Sequence, residues 1–394
     1  MPATLASLFL LSVILATGAY RYAEPWCYGK FLKSKGEPPI STSTILVSAD
    51  QGSEGLDAPT MTRLAAAILE RGPSVLALGA LDAPYGTSLE SLEGLEGLPA
   101  GSLVISHTFA GFRPWTVPEN SAYHPPILAR SLFPLLDGPE PGLNLPMGEG
   151  IDLSDTLITH TTLEAGVSLP TTGFSAPLSG EGVFSVPAFV RLGRGVVASL
   201  GIEAARRALG VAQGKIGYLE GVGILFNAGH VLPIDARGEM PVRFHGTQGI
   251  PRISATRFLE GRVSATEVQG KVVFVDPSAP GNRRIQTAAG PRTATEIQAS
   301  VAANLLGGTS IVAPGWGSTL PLFVGAFFAG LITLALVLDF GMPAAFALAL
   351  LLAAIYPVIS YFVFVKSSWW LPPELPPLMV AAMYLPFAAT RALF

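Results

Sequence analysis

The sequence predicts an α/β domain, with a mixed but largely parallel sheet and flanking helices, joined to four transmembrane α-helices. Three observations lead there. Only 13% of the 394 residues are charged, about half the share usual in soluble domains. Long charge-free apolar stretches sit at both ends of the chain. Between them, strand and helix patterns alternate. The expected boundaries are an N-terminal transmembrane anchor at 1–22, a linker at 23–40, the α/β domain at 41–313 and a three-helix transmembrane bundle at 314–394.

The first apolar stretch, Ala3–Ala19, carries no charge and is just long enough for a thin span. A signal peptide is the rival reading, but no Lys or Arg precedes the apolar run. Thr319–Leu338 and Pro343–Val365 are also uncharged, and Leu378–Phe394 carries only Arg391. Each reaches, or nearly reaches, the length that crosses a hydrocarbon core of about 30 Å. Short connections make these three an up-down-up trio. Ala345, Ala349 and Ala353 form a small-residue ridge at four-residue spacing, which lets helices approach closely. Trp26, Trp316, Trp369 and Trp370 all fall on the domain side of the four spans, where indole rings favour the headgroup level.

In the middle region, "STILVSAD" is a buried-strand run ending at Asp50. "APTMTRLAAAILERG" follows as a helix, with Leu64, Ile68 and Leu69 at helical spacing and Gly72 at its close. "SVLALGAL" is the next strand, so the three form a parallel βαβ unit. Further on, "GRGVVASLGIEAARRALG" reads as helix-like, "MPVRFHG" and "KVVFVD" as strands. "TATEIQASVAANLLGG" reads as a helix entered through Thr293, Thr295 and Glu296 and closed by Gly307 and Gly308.

These residues and their order resemble the CHASE2 family. "ILVSADQGS" is similar to the family's first strand and its ending, with Asp50 and Ser53 in place. Pro59 and Arg63 match its first helix, and Pro233, Asp235 and Gly238 match its Pro-hydrophobic-Asp-x-x-Gly hairpin. "RISATRFLEGRVSATEVQGKVVFVD" and "EIQASVAANLLGG" look like its closing strand and helix. There are departures. Glu181 stands for an Asp in mid-domain, Phe184 lies near the place of an Arg, and Asp276 replaces a common Gly. The resemblance implies an extracytoplasmic sensor domain flanked by one N-terminal and three C-terminal transmembrane helices. Such receptors usually continue into a cyclase, a kinase or a diguanylate cyclase, so ending at Phe394 implies a form without an output domain. Arg21, Lys30, Lys33, Lys35 and Lys366 lie on the domain side, and the positive-inside rule alone would put that side in the cytoplasm.

Function classes narrow by exclusion. A net charge of −4 without a basic run gives no footprint for nucleic acid. One cysteine, Cys27, makes no internal disulfide, CxxC pair or cysteine-based metal site. His107, His124, His160, His230 and His245 form neither HxxxH nor HExxH. "GRGVVA" at Gly193–Ala198 fits GxGxxA, but no acidic residue follows at a convincing strand end, and a tight turn before a helix is the preferred reading. Asp152 and Asp155 read as a cap or a solvated loop. No catalytic residue, metal or cofactor is expected. The candidates for a small ligand are Asp50, at the carboxyl end of a strand, with Ser53 and Arg63. Arg283 and Arg284 are candidates for partner contact. Expected partners are membrane lipids and further subunits. The expected role is a non-catalytic accessory or stabilising subunit of a bacterial membrane complex, of respiratory or photosynthetic type. The alternative is a sensor that passes its signal through the helices to a separately encoded effector. The expected location is the inner membrane, multi-pass, with the large domain outside the cytoplasm.

Overall fold

The computed structural model describes residues 2–17, 22–50, 55–79, 102–113, 133–134, 147–152, 171–174, 182–192, 195–212, 217–219, 223–227, 230–232, 234, 238–245, 249–278, 284–338 and 341–393. Two units emerge: Met1–Gly36 with Ile311–Phe394, and Glu37–Ser310. Along the chain, α1 (Pro2–Thr17) and α2 (Glu24–Lys35) precede β1 (Thr44–Ser48), α3 (Ala58–Leu69), β2 (Val75–Leu78), β3 (Leu103–Arg113) and β4 (Thr171–Phe174). There follow α4 (Leu200–Ala208), β5 (Arg252–Ser254), α5 (Ala255–Leu259), α6 (Ala265–Val268), β6 (Val272–Asp276) and α7 (Ala294–Leu306). The chain closes through α8 (Leu320–Val337), α9 (Met342–Ser367) and α10 (Leu375–Leu393). Shorter strands are named by their residues.

The α/β unit is built on a parallel sheet in the order β5-β1-β6-β2-β3-β4. From Thr108 onward β3 pairs instead with Met147–Asp152, antiparallel. Both faces of the sheet are covered, which explains why the central strands β1, β2 and β6 carry continuous apolar runs rather than alternating ones. Ile45, Val47, Leu76, Leu78, Leu103, Ile253, Val273 and Val275 point to one face, where Met61, Leu64, Ala65 and Ile68 of α3, Phe258 of α5 and Val268 of α6 meet them. Leu46, Val75, Ala77, Val104, Val272 and Phe274 point to the other, against Leu200, Ala204 and Ala205 of α4 and Ala299, Ala302 and Ala303 of α7. A slip of one residue in any strand would exchange these two sets.

β1, α3 and β2 form the expected parallel connection, but β6 lies between the two strands. Nothing local signals that insertion, because β6 comes about 200 residues later in the chain. α3 starts where Asp57 accepts the amide of Thr60 at 3.0 Å, with Pro59 in its first turn. It ends before Gly72, whose φ of 68° is a left-handed conformation that suits glycine.

Three local expectations are corrected. "GRGVVASLGIEAARRALG" is not helical throughout: Gly195–Ala198 is a strand paired antiparallel with Phe189–Leu192, and only Leu200–Ala208 is helix. Its alternation of small and β-branched residues fits a hairpin better than a helix face. Of the GxGxxA match, Gly195–Ala198 is therefore strand, and Gly193 and Arg194 lie outside the described residues. The expected hairpin around Pro233, Asp235 and Gly238 is divided as well: His230–Leu232 pairs with Gly223–Asn227, and Glu239–Pro241 with Ser185–Pro187. The stretch 23–40, expected as a linker, contains α2.

In the helical unit, α9 buries Ala345, Ala349, Leu352, Tyr356, Ser360 and Phe364 in one stripe. Ala353 packs at its edge, so the alanine ridge faces the trio: Ala329, Ile332 and Leu336 of α8 and Val380, Met383 and Tyr384 of α10 complete the cluster. Ser7 of α1 donates to the carbonyl of Met383 at 3.2 Å. α9 is long and apolar enough to cross a membrane, whereas α1, α8 and α10 carry the shorter apolar stretches Leu5–Thr17, Leu320–Leu336 and Leu375–Thr390. The expectation of four spans therefore stands on length for one helix among the described residues.

α4 and α7 touch most closely at Gly201. A Cβ there would lie 2.3 Å from the carbonyl oxygen of Gln298 and 2.9 Å from Cβ of Val301. Gly201→Ala is expected to destabilise the protein by about 1–3 kcal/mol, as overpacking does. Urea unfolding of the full chain in detergent, followed by circular dichroism, measures it; an unchanged midpoint would show that the helices part without cost.

Candidate functional site

In an open α/β sheet, ligands gather beyond the carboxyl ends of the strands. Here that edge carries two carboxylates. The last residues of β1 and β6 lie side by side, Ser48 opposite Asp276, and Asp50 is two residues further on. The two carboxylates differ in environment.

Asp50 is partly exposed, and the hydroxyls of Ser254 and Thr256 hold its carboxyl below the usual carboxylate range. It is a charged acceptor at neutral pH. Ser254 ends β5 and is the N-cap of α5, its side chain accepting the amide of Arg257 at 3.4 Å, and Thr256 lies in the first turn of α5. β5 pairs directly with β1, and this pairing brings the turn to Asp50.

Asp276 is only 3% exposed. Burial raises its pKa, against the bonds from Thr293 and Ser278 that favour the charged form; Glu296 raises it slightly further. The Thr293 hydroxyl donates to Oδ2 at 2.6 Å and the Ser278 amide to Oδ1 at 3.1 Å. Thr293 is also the N-cap of α7. Its hydroxyl accepts the amide of Glu296 at 3.1 Å, while its own amide donates to Oε2 of Glu296 at 3.1 Å. This is a capping box. The other oxygen of Glu296 pairs with Arg252 at 2.6 Å. The positive end of α7 is thus served by the protein's own carboxylates, and an incoming anion would have to displace them.

The edge is tight as well as polar. At Gly79, just past β2, a Cβ would lie 2.4 Å from Oγ1 of Thr295 and 2.9 Å from the carbonyl oxygen of Val275. Arg292 donates to the carbonyl of His245 at 2.8 Å. Burial first, then Arg243 and Arg292, lower the pKa of His245 to about 4.

Of the residues nominated from sequence, Asp50 stands at the edge as expected. Arg63 is an exposed residue of α3, and Ser53 lies outside the described residues. Arg284 is exposed just before the Ile285–Thr287 strand, and Arg283 lies outside the described residues. Asp152 ends the Met147–Asp152 strand, whereas Asp155, His124, His160 and Glu181 are not described. Among the described residues no group of three or more His, Cys, Asp or Glu side chains is placed to hold a metal ion. Trp26, Trp316 and Trp369 are exposed, but Trp370 is buried, so its indole ring does not face the headgroup level. It donates to Oε1 of Glu24 at 3.0 Å instead. Sequence reasoning missed Thr256, Ser254 and the Asp276–Thr293–Glu296–Arg252 chain. The spacing Thr293-x-x-Glu296 was the available signal for part of it. The others are brought together only by strand pairing.

The structure is thus a doubly covered α/β domain with a polar carboxyl edge, on a chain that also carries apolar helices. The chain belongs to the CHASE2 domain family, whose model matches residues 7–338. That family is one of extracytoplasmic sensory domains and is not a catalytic family. The comparisons with curated proteins and with solved structures give no match.

Thr293 makes a double contribution, so its loss is costly. Thr293→Val is expected to remove about 2 kcal/mol or more, from the lost cap and the stranded Asp276 carboxylate, while Thr293→Ser retains most of it. Chemical unfolding of the three proteins measures the difference. A second expectation concerns acid. His245 titrates normally near 6.5 when unfolded and near 4 when folded, so the unfolded chain binds more protons between those values. His245 therefore makes stability fall as pH drops through that window. His245→Gln should flatten this part of the pH profile of the thermal midpoint.

Proposed function

We propose that the protein is a membrane-held extracytoplasmic sensor whose α/β unit takes the input and whose apolar helices anchor it in a bacterial inner membrane. The observation that carries this reading is the match of a sensory-domain family over residues 7–338. It favours the sensor over the accessory-subunit expectation, to which the match lends nothing.

Surface chemistry supports the membrane part. Large apolar side chains point outward on α1 (Leu5, Phe9), α8 (Phe323, Phe327), α9 (Leu351, Phe362) and α10 (Leu385). Such surfaces belong in lipid or against another protein rather than in water. The lysines that argue for a cytoplasmic domain have local work. Lys35 donates to the carbonyls of Phe364 and Val365 at 3.1 and 2.7 Å, closing the C-terminus of α9. Lys30 lies over the ring of Trp26 at 5.5 Å. Charges used this way weaken the positive-inside argument. In this reading α1, α8, α9 and α10 all span, and the α/β unit lies outside the cytoplasm.

The input site of this proposal is the region of Asp50, with Ser53 and Arg63 as further candidates. An ionised carboxylate beside hydroxyl groups recognises a cationic or hydrogen-bond-donating ligand. Thermal-shift screening of the full chain in detergent tests it. The expected result is stabilisation by a compound of that kind, reduced about tenfold or more in affinity by Asp50→Ala, since a hydrogen bond to a charged group contributes about 1.5–3 kcal/mol. Stabilisation that Asp50→Ala leaves intact would place the input elsewhere. Orientation has its own test. Glu260→Cys in a Cys27→Ser background should be labelled by a membrane-impermeant thiol reagent added to intact cells; labelling only after lysis overturns the orientation.

A further inference from the structure

We propose that Glu374, together with Glu24 and Tyr356, forms a proton-binding site inside the helical unit, in which Glu374 is the group that takes and releases the proton. The site stands on geometry. Glu374 immediately precedes α10 and is 7% exposed, and neither of its carboxylate oxygens has a hydrogen-bond partner. Tyr356, on the buried stripe of α9, is 4% exposed, and its hydroxyl is also without a partner. A charge buried without a partner costs several kcal/mol, and a carboxyl group avoids that cost by holding a proton.

The neighbours press the same way. Glu24, at the first turn of α2, is also buried, and its Oε1 is engaged by the indole of Trp370. That indole is fixed by a cluster of rings: Tyr28 at 4.8 Å and Phe31 and Phe364 at 5.8 Å. Glu24 is therefore held as a hydrogen-bond acceptor while Glu374 has none. A buried carboxyl group under the influence of a second one keeps its proton at pH values where ordinary carboxylates have lost theirs. Burial first, and then Glu24, raise the Glu374 pKa from 4.5 to about 8, outweighing the contact with its own backbone amide, which lowers it. Cys27, one turn along α2, is raised to about 11 by burial, Glu374 and Glu24, which places both carboxyl groups near that thiol.

The charged and titratable groups around the site are few. α2 contributes Glu24 and Cys27, and α9 contributes Tyr356. Of the nearby lysines, Lys35 is engaged with the end of α9, and Lys366 lies exposed in the last turn of α9. Among the described residues no basic side chain forms an ion pair with Glu374. No arrangement of three acidic or thiol groups suited to a metal ion is found there either, so a proton is the ligand that fits. Proton binding neutralises Glu374 and removes the cost of a buried, unpaired charge.

The sign of the effect follows from linkage. Between 4.5 and about 8 the folded unit holds a proton that the unfolded chain has released. The stability it contributes is full below that window and is lost as pH rises through it. The inference does not depend on the ligand site of the α/β unit.

The test uses the full chain in lipid nanodiscs, with Glu374→Gln and Glu24→Gln. Infrared difference spectra between pH 5 and pH 9 are expected to show a protonated-carboxyl band lost near pH 8, absent in Glu374→Gln. In Glu24→Gln that midpoint should move down by about one unit or more, because the like charge is gone. The thermal midpoint of the wild type should fall across this range more steeply than that of Glu374→Gln. A band that persists in Glu374→Gln overturns the assignment, as does a wild-type titration completed below pH 6. If Glu374→Gln does not fold, the Glu24→Gln shift decides alone, and its absence rejects the pair.

Discussion

The strands of the central sheet bury both faces at once, and most of the α/β unit follows from that. The middles of β1, β2 and β6 are buried on both faces and are filled by apolar side chains. Polar chemistry is driven to the strand ends. At the carboxyl end this yields Asp50 and Asp276, and each needs partners that the strands do not supply. The end of β5 and the first turn of α5 supply them for Asp50, and the first turn of α7 supplies them for Asp276. The same demand for close packing explains Gly201 and Gly79, where a side chain would collide with α7.

The helical unit meets the opposite constraint. The inner stripe of α9 mixes small and polar residues, Ala345, Ala349, Tyr356 and Ser360, with Leu352 and Phe364, while other large apolar side chains such as Leu351 and Phe362 point outward. In water this arrangement would be unfavourable; in lipid it costs nothing, and association then rests on packing and internal hydrogen bonds. Examples are Ser7 to the carbonyl of Met383 and Ser360 to the carbonyl of Leu371. A carboxyl group in such an interior, like Glu374, cannot rely on water and must find a partner or a proton.

The two carboxylates at the sheet edge show how unequal neighbours can be. Asp50 is ionised, with two hydroxyls and access to solvent. Asp276 is sealed beneath the cap of α7 and serves the architecture. At this position the chain departs from the glycine common in the family, and the substituted aspartate is absorbed by Thr293. The solvent-accessible carboxylate of this edge is Asp50.

β1, β2, β6, α3, α7 and the long apolar helix were legible in the sequence because their signals are local. Period, capping residues and turn glycines act within a few positions. The family was legible for the same reason, from short motifs in order. Strand order was not legible: β6 enters between β1 and β2 because its hydrogen bonds and apolar faces fit there, and no nearby residue announces it. Thr256 and Ser254 meet Asp50 only through the pairing of β5 with β1. Trp370 looked like a headgroup anchor by position, but Glu24 and three rings hold it inside. By itself the sequence determined β1, α3, β2, β6, α7 and the long apolar stretches, though it read Gly195–Ala198 as helix and 23–40 as linker. The tertiary structure decided which carboxyl groups face solvent and which are buried, because burial depends on neighbours brought from distant parts of the chain.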